Sequence, residues 1–75
     1  MPLTYKLAKQ ILNDLQIPKI NQVGSHEQYW LWKYKITLPN HKELTKNTAK
    51  SFIDQISIVK NISIKEIINS YNIKL

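Results

Sequence analysis

The sequence predicts a small α+β fold in the order helix, three strands, helix, with an extra short C-terminal helix. Three observations predict it. Apolar residues recur at helical spacing near both ends of the chain, β-branched and aromatic residues crowd residues 26–39, and Pro18, Gly24 and Pro39 stand between these regions. The 75 residues, 1–75, read as one domain, because no repeat, low-complexity run or linker divides them. A chain this short buries a small core, and with no cysteine its packing has no covalent reinforcement.

The first helix is expected over residues 4–15, where Leu7, Ala8, Ile11, Leu12 and Leu15 form one stripe opposite lysines and Gln10. Pro18 is expected to end it, since proline lacks an amide and disfavours helix in the residue before it. A short strand over residues 17–23 follows, with Ile20 and Val23 facing partly inward and Gly24 stopping it. One strand over residues 26–39 would be too long. Two antiparallel strands are expected instead, 26–31 and 35–38, joined around Trp32-Lys33-Tyr34, although no Gly, Asn or Asp marks that turn. Pro39-Asn40-His41 then closes the sheet as a loop.

Thr45 or Asn47 can cap the second helix, whose apolar stripe is Ala49, Phe52, Ile53 and Ile56. Its first turn points free amides outward beside Lys46 and Lys50, an arrangement that attracts phosphate. Ser63 and Glu66 read as a capping box, each satisfying an amide of the other's turn, and Ile64, Ile67, Ile68 and Tyr71 continue a third helix. This order places two helices under one face of the sheet and leaves the other face open. Trp30, Trp32 and Tyr34 lie at period two. Facing outward they can stack on bases; facing inward they are core, and in so small a domain at least one tryptophan is expected to be buried.

Eleven lysines against five acids give a net charge of +6, with no arginine. Such a surface suits a polyanion, and nucleic acid is the first candidate. Lysine supplies a point charge rather than a bidentate fork, so the expected contact tracks the phosphate backbone with little base discrimination. Solubility alone, in a Lys/Asn/Ile-rich composition, and an acidic protein partner are the alternatives. His26, His41, Glu27 and Glu43 show no metal-ligand spacing and there is no cysteine to help, so neither metal nor other cofactor is expected. Glu27 and Glu43 read as surface charges or as partners for lysines. No acyl-transfer motif appears. The apolar stretches are too short for a membrane span and the first ten residues lack an apolar leader core, which predicts a cytoplasmic protein without a membrane partner.

His26 follows Gly24-Ser25 where a strand should begin. An imidazole exchanges protons near neutrality, as attack of a ribose 2′-hydroxyl on its own phosphate requires, and positioned proton transfer contributes roughly 10²–10⁴-fold. Nearby lysines can steady the charge on the phosphorane. A lone histidine is as readily a polar surface residue, and Gly-Ser-His is too short a string to decide between the two.

The string as a whole is more specific. Gly24-Ser25-His26, then Tyr29, then Ile36-Thr37-Leu38-Pro39 with His41 and Lys42-Glu43-Leu44, then Thr45-Lys46-Asn47-Thr48 opening a helix that runs to Gln55-Ile56, resembles the HicA toxin family in order and spacing. The similarity covers the chain from the first helix to Ile56, and the capped segment at Ser63 looks like the short tail that many members carry. The resemblance implies a double-stranded-RNA-binding-domain-like α-β-β-β-α fold. It implies the toxin of a type II toxin–antitoxin system, a metal-independent endoribonuclease that cleaves mRNA, stops translation and growth, and is neutralised by a HicB-like antitoxin.

Carried over residue by residue, His26 matches the catalytic histidine, Gly24 and Ser25 the residues that present it, and Lys42 with residues 39–46 the loop before the second helix. This chain departs from the pattern in three places: Glu27 stands where a second histidine is common, the hairpin turn is shorter and lacks its glycine, and arginine is absent. Glu27 would set a negative charge beside the reacting phosphate. The expected site therefore comprises His26 as general base or acid, Lys33, Lys35, Lys42 and Lys46 as phosphate guides, and Tyr29 or Trp30 as a stacking surface. RNA and an acidic antitoxin are the expected partners, and the free chain is expected to be a monomer. The rival reading is a non-catalytic RNA-binding or protein-binding module of the same fold; a third is a basic protein that binds an acidic host factor.

Overall fold

A computed structural model describes residues 2–74, apart from the side chain of Ile20. Helix α1 (Tyr5–Asp14) leads into strands β1 (Lys19–Val23), β2 (His26–Leu31) and β3 (Tyr34–Pro39), followed by helices α2 (Lys46–Lys60) and α3 (Ile64–Tyr71). The strands make one antiparallel sheet in the order β1-β2-β3, which gives the α+β class expected. Helices α1 and α2 pack on it at β3, and α3 packs on α2. Among the described residues no helix is long and apolar enough to cross a membrane.

Each helix begins where a hydroxyl can accept one of its orphan amides. Thr4 accepts from the Leu7 amide at 3.1 Å, Thr45 from Thr48 at 3.3 Å and Ser63 from Glu66 at 3.1 Å. Thr45 rather than Asn47 is the cap of α2. Pro18 does not end α1. The helix stops at Asp14, and Gln16 at φ +57° turns the chain while the Ile17 amide donates to the Leu12 carbonyl at 2.9 Å. Pro18 instead lends its carbonyl to the Trp30 amide at 3.3 Å, beside the irregular register between Lys19 and Asn21.

Ile11, Leu12, Ile36, Leu38, Phe52, Ile53 and Ile56 fill the core between helices and sheet. On β1, Val23 is 58 % exposed, contrary to the inward orientation expected of it, while the expectation for Ile20 lies outside the described residues.

The hairpin between β2 and β3 explains the larger correction. Its turn is the two residues between the closing pair Leu31 and Tyr34, so an odd-numbered residue of β2 shares a face with an even-numbered residue of β3. Tyr29 pairs with Ile36 on the helix side, whereas Trp30 pairs with Lys35 and Gln28 with Thr37 on the open side. The row Trp30-Trp32-Tyr34-Ile36-Leu38 therefore changes face at the turn. Ile36 and Leu38 are core, Trp30 is 38 % exposed and Trp32 83 % exposed, so neither tryptophan is buried as expected. Tyr29, at 4 % exposure, takes the interior place instead.

The loop before α2 is stitched to the start of the chain. Thr4 bridges Glu43, the Tyr5 amide donates to the Lys42 carbonyl at 3.1 Å, and the Leu44 amide donates to the Leu3 carbonyl at 3.1 Å.

Candidate nucleic-acid interface

The first hairpin turn sets the position of His26. Gly24 has φ +59°, a conformation that side chains disfavour, and a Cβ added there would meet nothing within 4 Å. The backbone alone thus calls for glycine. Val23 and His26 form the closing pair across Gly24-Ser25, and the Asn40 amide donates to the Ser25 carbonyl at 2.6 Å. His26 also pairs with Pro39, the last residue of β3, so the segment carrying His41 and Lys42 leaves the sheet at the same end. Gly24, Ser25, His26, His41 and Lys42 are all exposed. Among the described residues the His26 ring makes no hydrogen bond, which leaves both its nitrogens to an incoming ligand.

From His26 the open face runs toward the second hairpin. His26, Gln28 and Trp30 occupy alternate positions of β2, opposite Pro39, Thr37 and Lys35 of β3. Lys33 sits at the tip with its Nζ 5.8 Å from the Tyr34 ring centroid. Trp32 opens that turn with φ +57°, where a bulky residue costs roughly 1–2 kcal/mol relative to glycine. At the outer edge of β3 a groove of about 320 Å³ is lined by Thr37, Pro39, Asn47, Thr48, Ser51, Phe52 and Gln55. It adjoins the His26 end of the sheet through Pro39, and its lining includes the hydroxyls and amides of Thr37, Asn47, Thr48, Ser51 and Gln55.

Glu27 lies on the other side of the sheet. Strand alternation sends it inward, where it is 2 % exposed. The Tyr29 hydroxyl donates to its carboxylate at 2.6 Å, the Tyr5 hydroxyl donates to the same group, and Lys9 Nζ stands 3.6 Å away. Burial alone would raise its pKa; the two phenol hydrogen bonds and the Lys9 charge outweigh that and hold it below the ordinary carboxylate value. The Tyr29 hydroxyl is pushed up by burial and by the carboxylate it serves, and Tyr5 is pushed up chiefly by its bond to Glu27. Glu27 is therefore a partner for a lysine, as one of its two expected readings had it, and neither a surface charge nor a charge beside a phosphate at His26, because the sheet separates them.

The expected site residues thus divide. Gly24, Ser25 and His26 form one exposed corner with Lys42 at the same end, while Lys33 and Lys35 flank the tryptophans at the hairpin. Lys46 faces a different cavity, of about 270 Å³, with Pro2, Leu3, Glu43, Leu44, Ala49 and Lys74. Tyr29 is withdrawn from any ligand by burial, and the expectation that it stacks on a base is corrected: its hydroxyl holds Glu27. Sequence reasoning missed the Tyr5–Lys9–Glu27–Tyr29 cluster and the polar groove. The one signal for the cluster is the i, i+2 spacing of Glu27 and Tyr29, which strand alternation puts on a single face. Among the described residues no three His, Asp or Glu side chains gather in a way that could hold a metal ion. Compared with models of protein families, with curated proteins and with solved structures, the chain matches none.

Proposed function

We propose that the chain is a metal-independent endoribonuclease that cleaves mRNA through His26, acting as the toxin of a type II toxin–antitoxin system and blocked by an acidic, HicB-like antitoxin. The observation that carries this reading is the placement of an unpartnered, exposed imidazole at the end of an open sheet face, presented by a glycine turn, in a chain of net charge +6. The sequence resemblance to the HicA family supports it, and the helix, three antiparallel strands and helix suit the double-stranded-RNA-binding-domain-like arrangement that the family implies.

In this reading His26 takes the proton of a ribose 2′-hydroxyl, the freed oxygen attacks the adjacent phosphorus in line, and the bond from phosphorus to the 5′-oxygen breaks. The 5′-oxygen is protonated from water. The products are a 2′,3′-cyclic phosphate and a 5′-hydroxyl. Lys42, in the exposed segment that follows Pro39, is the lysine this reading assigns to stabilise the extra charge on the phosphorane.

The test is cleavage of a long RNA by the purified chain in EDTA, alongside His26→Ala. Cleavage by the parent and a loss on the order of 10²–10⁴-fold in the variant are expected, with folding unchanged because an exposed side chain contributes little packing. An absolute magnesium requirement overturns the metal-independent reaction, and full activity in the variant overturns cleavage through His26. RNA retarded but intact with both proteins would make the chain a binding module instead, a reading that the exposed Trp30 and Trp32 favour.

A further inference from the structure

The two tryptophans of the chain lie outside the core, and Trp32 is there against the preference of its own backbone. Both hairpins place a residue of positive φ first in a two-residue turn; one uses Gly24 at +59° and the other Trp32 at +57°. At 83 % exposure the indole recovers little packing in return. Strain carried by a side chain that the fold does not use points to a contact made outside the fold. Trp30, two residues earlier, stands on the open face with Lys35 as its cross-strand partner, and Lys33 follows Trp32 at the tip. Trp30 lies four positions from His26 along the same face of β2, about 13 Å at the usual strand rise.

We propose that Trp30 and Trp32 form a base-stacking subsite for unpaired nucleotides, so that the substrate is single-stranded RNA held by its bases at the hairpin while a phosphate lies at His26. The proposal rests on the nuclease reading and adds the form of its substrate. An unpaired base offers its flat face to an indole, whereas a duplex keeps its bases stacked on one another. Lys35 opposite Trp30 and Lys33, whose Nζ lies 5.8 Å from the Tyr34 ring centroid, make the hairpin end cationic, which in a chain of net charge +6 suits the phosphate backbone of a nucleic acid. Lysine also lacks the fork that reads base edges, so the subsite tolerates many sequences.

The probe is a 2′-O-methyl RNA oligonucleotide, which lacks the attacking hydroxyl and reports binding without cleavage. Because the chain has two tryptophans, both in the subsite, their fluorescence reads it directly. Saturable quenching by the single strand is expected, with the annealed duplex bound at least about 10-fold more weakly. Trp30→Ala and Trp32→Ala should each weaken binding roughly 5- to 150-fold, and Trp30→Phe should retain most of it. Circular dichroism melts confirm that the variants fold, and on unmodified RNA they should raise KM with kcat kept. Equal affinity for the duplex, or unchanged affinity in both alanine variants, overturns the subsite. Quenching with no cleavage of unmodified RNA supports the subsite and removes the nuclease, while cleavage indifferent to both tryptophans does the reverse. Absence of all RNA binding, with the variants losing an acidic protein partner instead, overturns the subsite and gives the surface to protein.

Discussion

Glu27 and His26 are neighbours in sequence and opposites in environment, because successive strand residues point to opposite sides of the sheet. The imidazole faces solvent, and the carboxylate is buried under two phenol donors and an ammonium. Removing the charge from a buried, hydrogen-bonded carboxylate costs about 1.5–3 kcal/mol, so Glu27→Gln is expected to lower folding stability by that amount in chemical denaturation while leaving the His26 surface intact. The pH dependence follows by sign. The Glu27 pKa is depressed below the ordinary 4.5, so its contribution is complete above that value and is lost as pH falls through the folded-state pKa. Tyr5 and Tyr29 are raised above 10.0, so they stabilise fully below that value and lose the contribution as pH rises through their folded-state values. Denaturation across pH should show both edges, and Glu27→Gln should flatten the acid one. A lysine partner for Glu27 was legible from residue type, and Lys9 supplies it; the burial and the two phenol donors were not, because they depend on the register of the strand.

The hairpins show how much an element reveals before its coordinates. The turn at Gly24-Ser25 was legible because glycine marks it, and β2 occupies the expected residues 26–31. The second turn carries no such mark, so its register was open, and a period-two row drawn through it joined residues from opposite faces. Two substitutions follow from the shared geometry. Gly24→Ala is expected to destabilise the fold by about 1–2 kcal/mol through backbone strain alone, since the space around it is open. Trp32→Gly is expected to leave stability unchanged or raise it by up to ~1 kcal/mol, because it relieves the same strain and forfeits little packing. Denaturant midpoints of the two variants should therefore move apart. A loss of stability in Trp32→Gly would mean that the indole serves the fold.

Over the whole molecule, the helical stripes and the strand run were legible because burial imposes periods of 3.6 and 2 on apolar residues, and Ala8, Ile11, Leu12, Phe52, Ile53 and Ile56 are buried as their spacing requires. The distribution of charge was not legible, since periodicity says which lysines are outside and not which lie together. Lys33 and Lys35 share the hairpin end, whereas Lys46 turns to another cavity. Affinity for single-stranded RNA should fall with salt, and each phosphate-contacting lysine lost should reduce the slope of log K against log salt by about 0.7. Lys35→Gln is expected to do so, and Lys46→Gln to change the slope less. The chemistry itself is tested most directly by identifying the ends of RNA cut in EDTA. A 2′,3′-cyclic phosphate facing a 5′-hydroxyl, with 2′-O-methyl RNA left uncut, is the expected result; a 5′-phosphate facing a 3′-hydroxyl would contradict cleavage by the ribose hydroxyl and with it the role of His26.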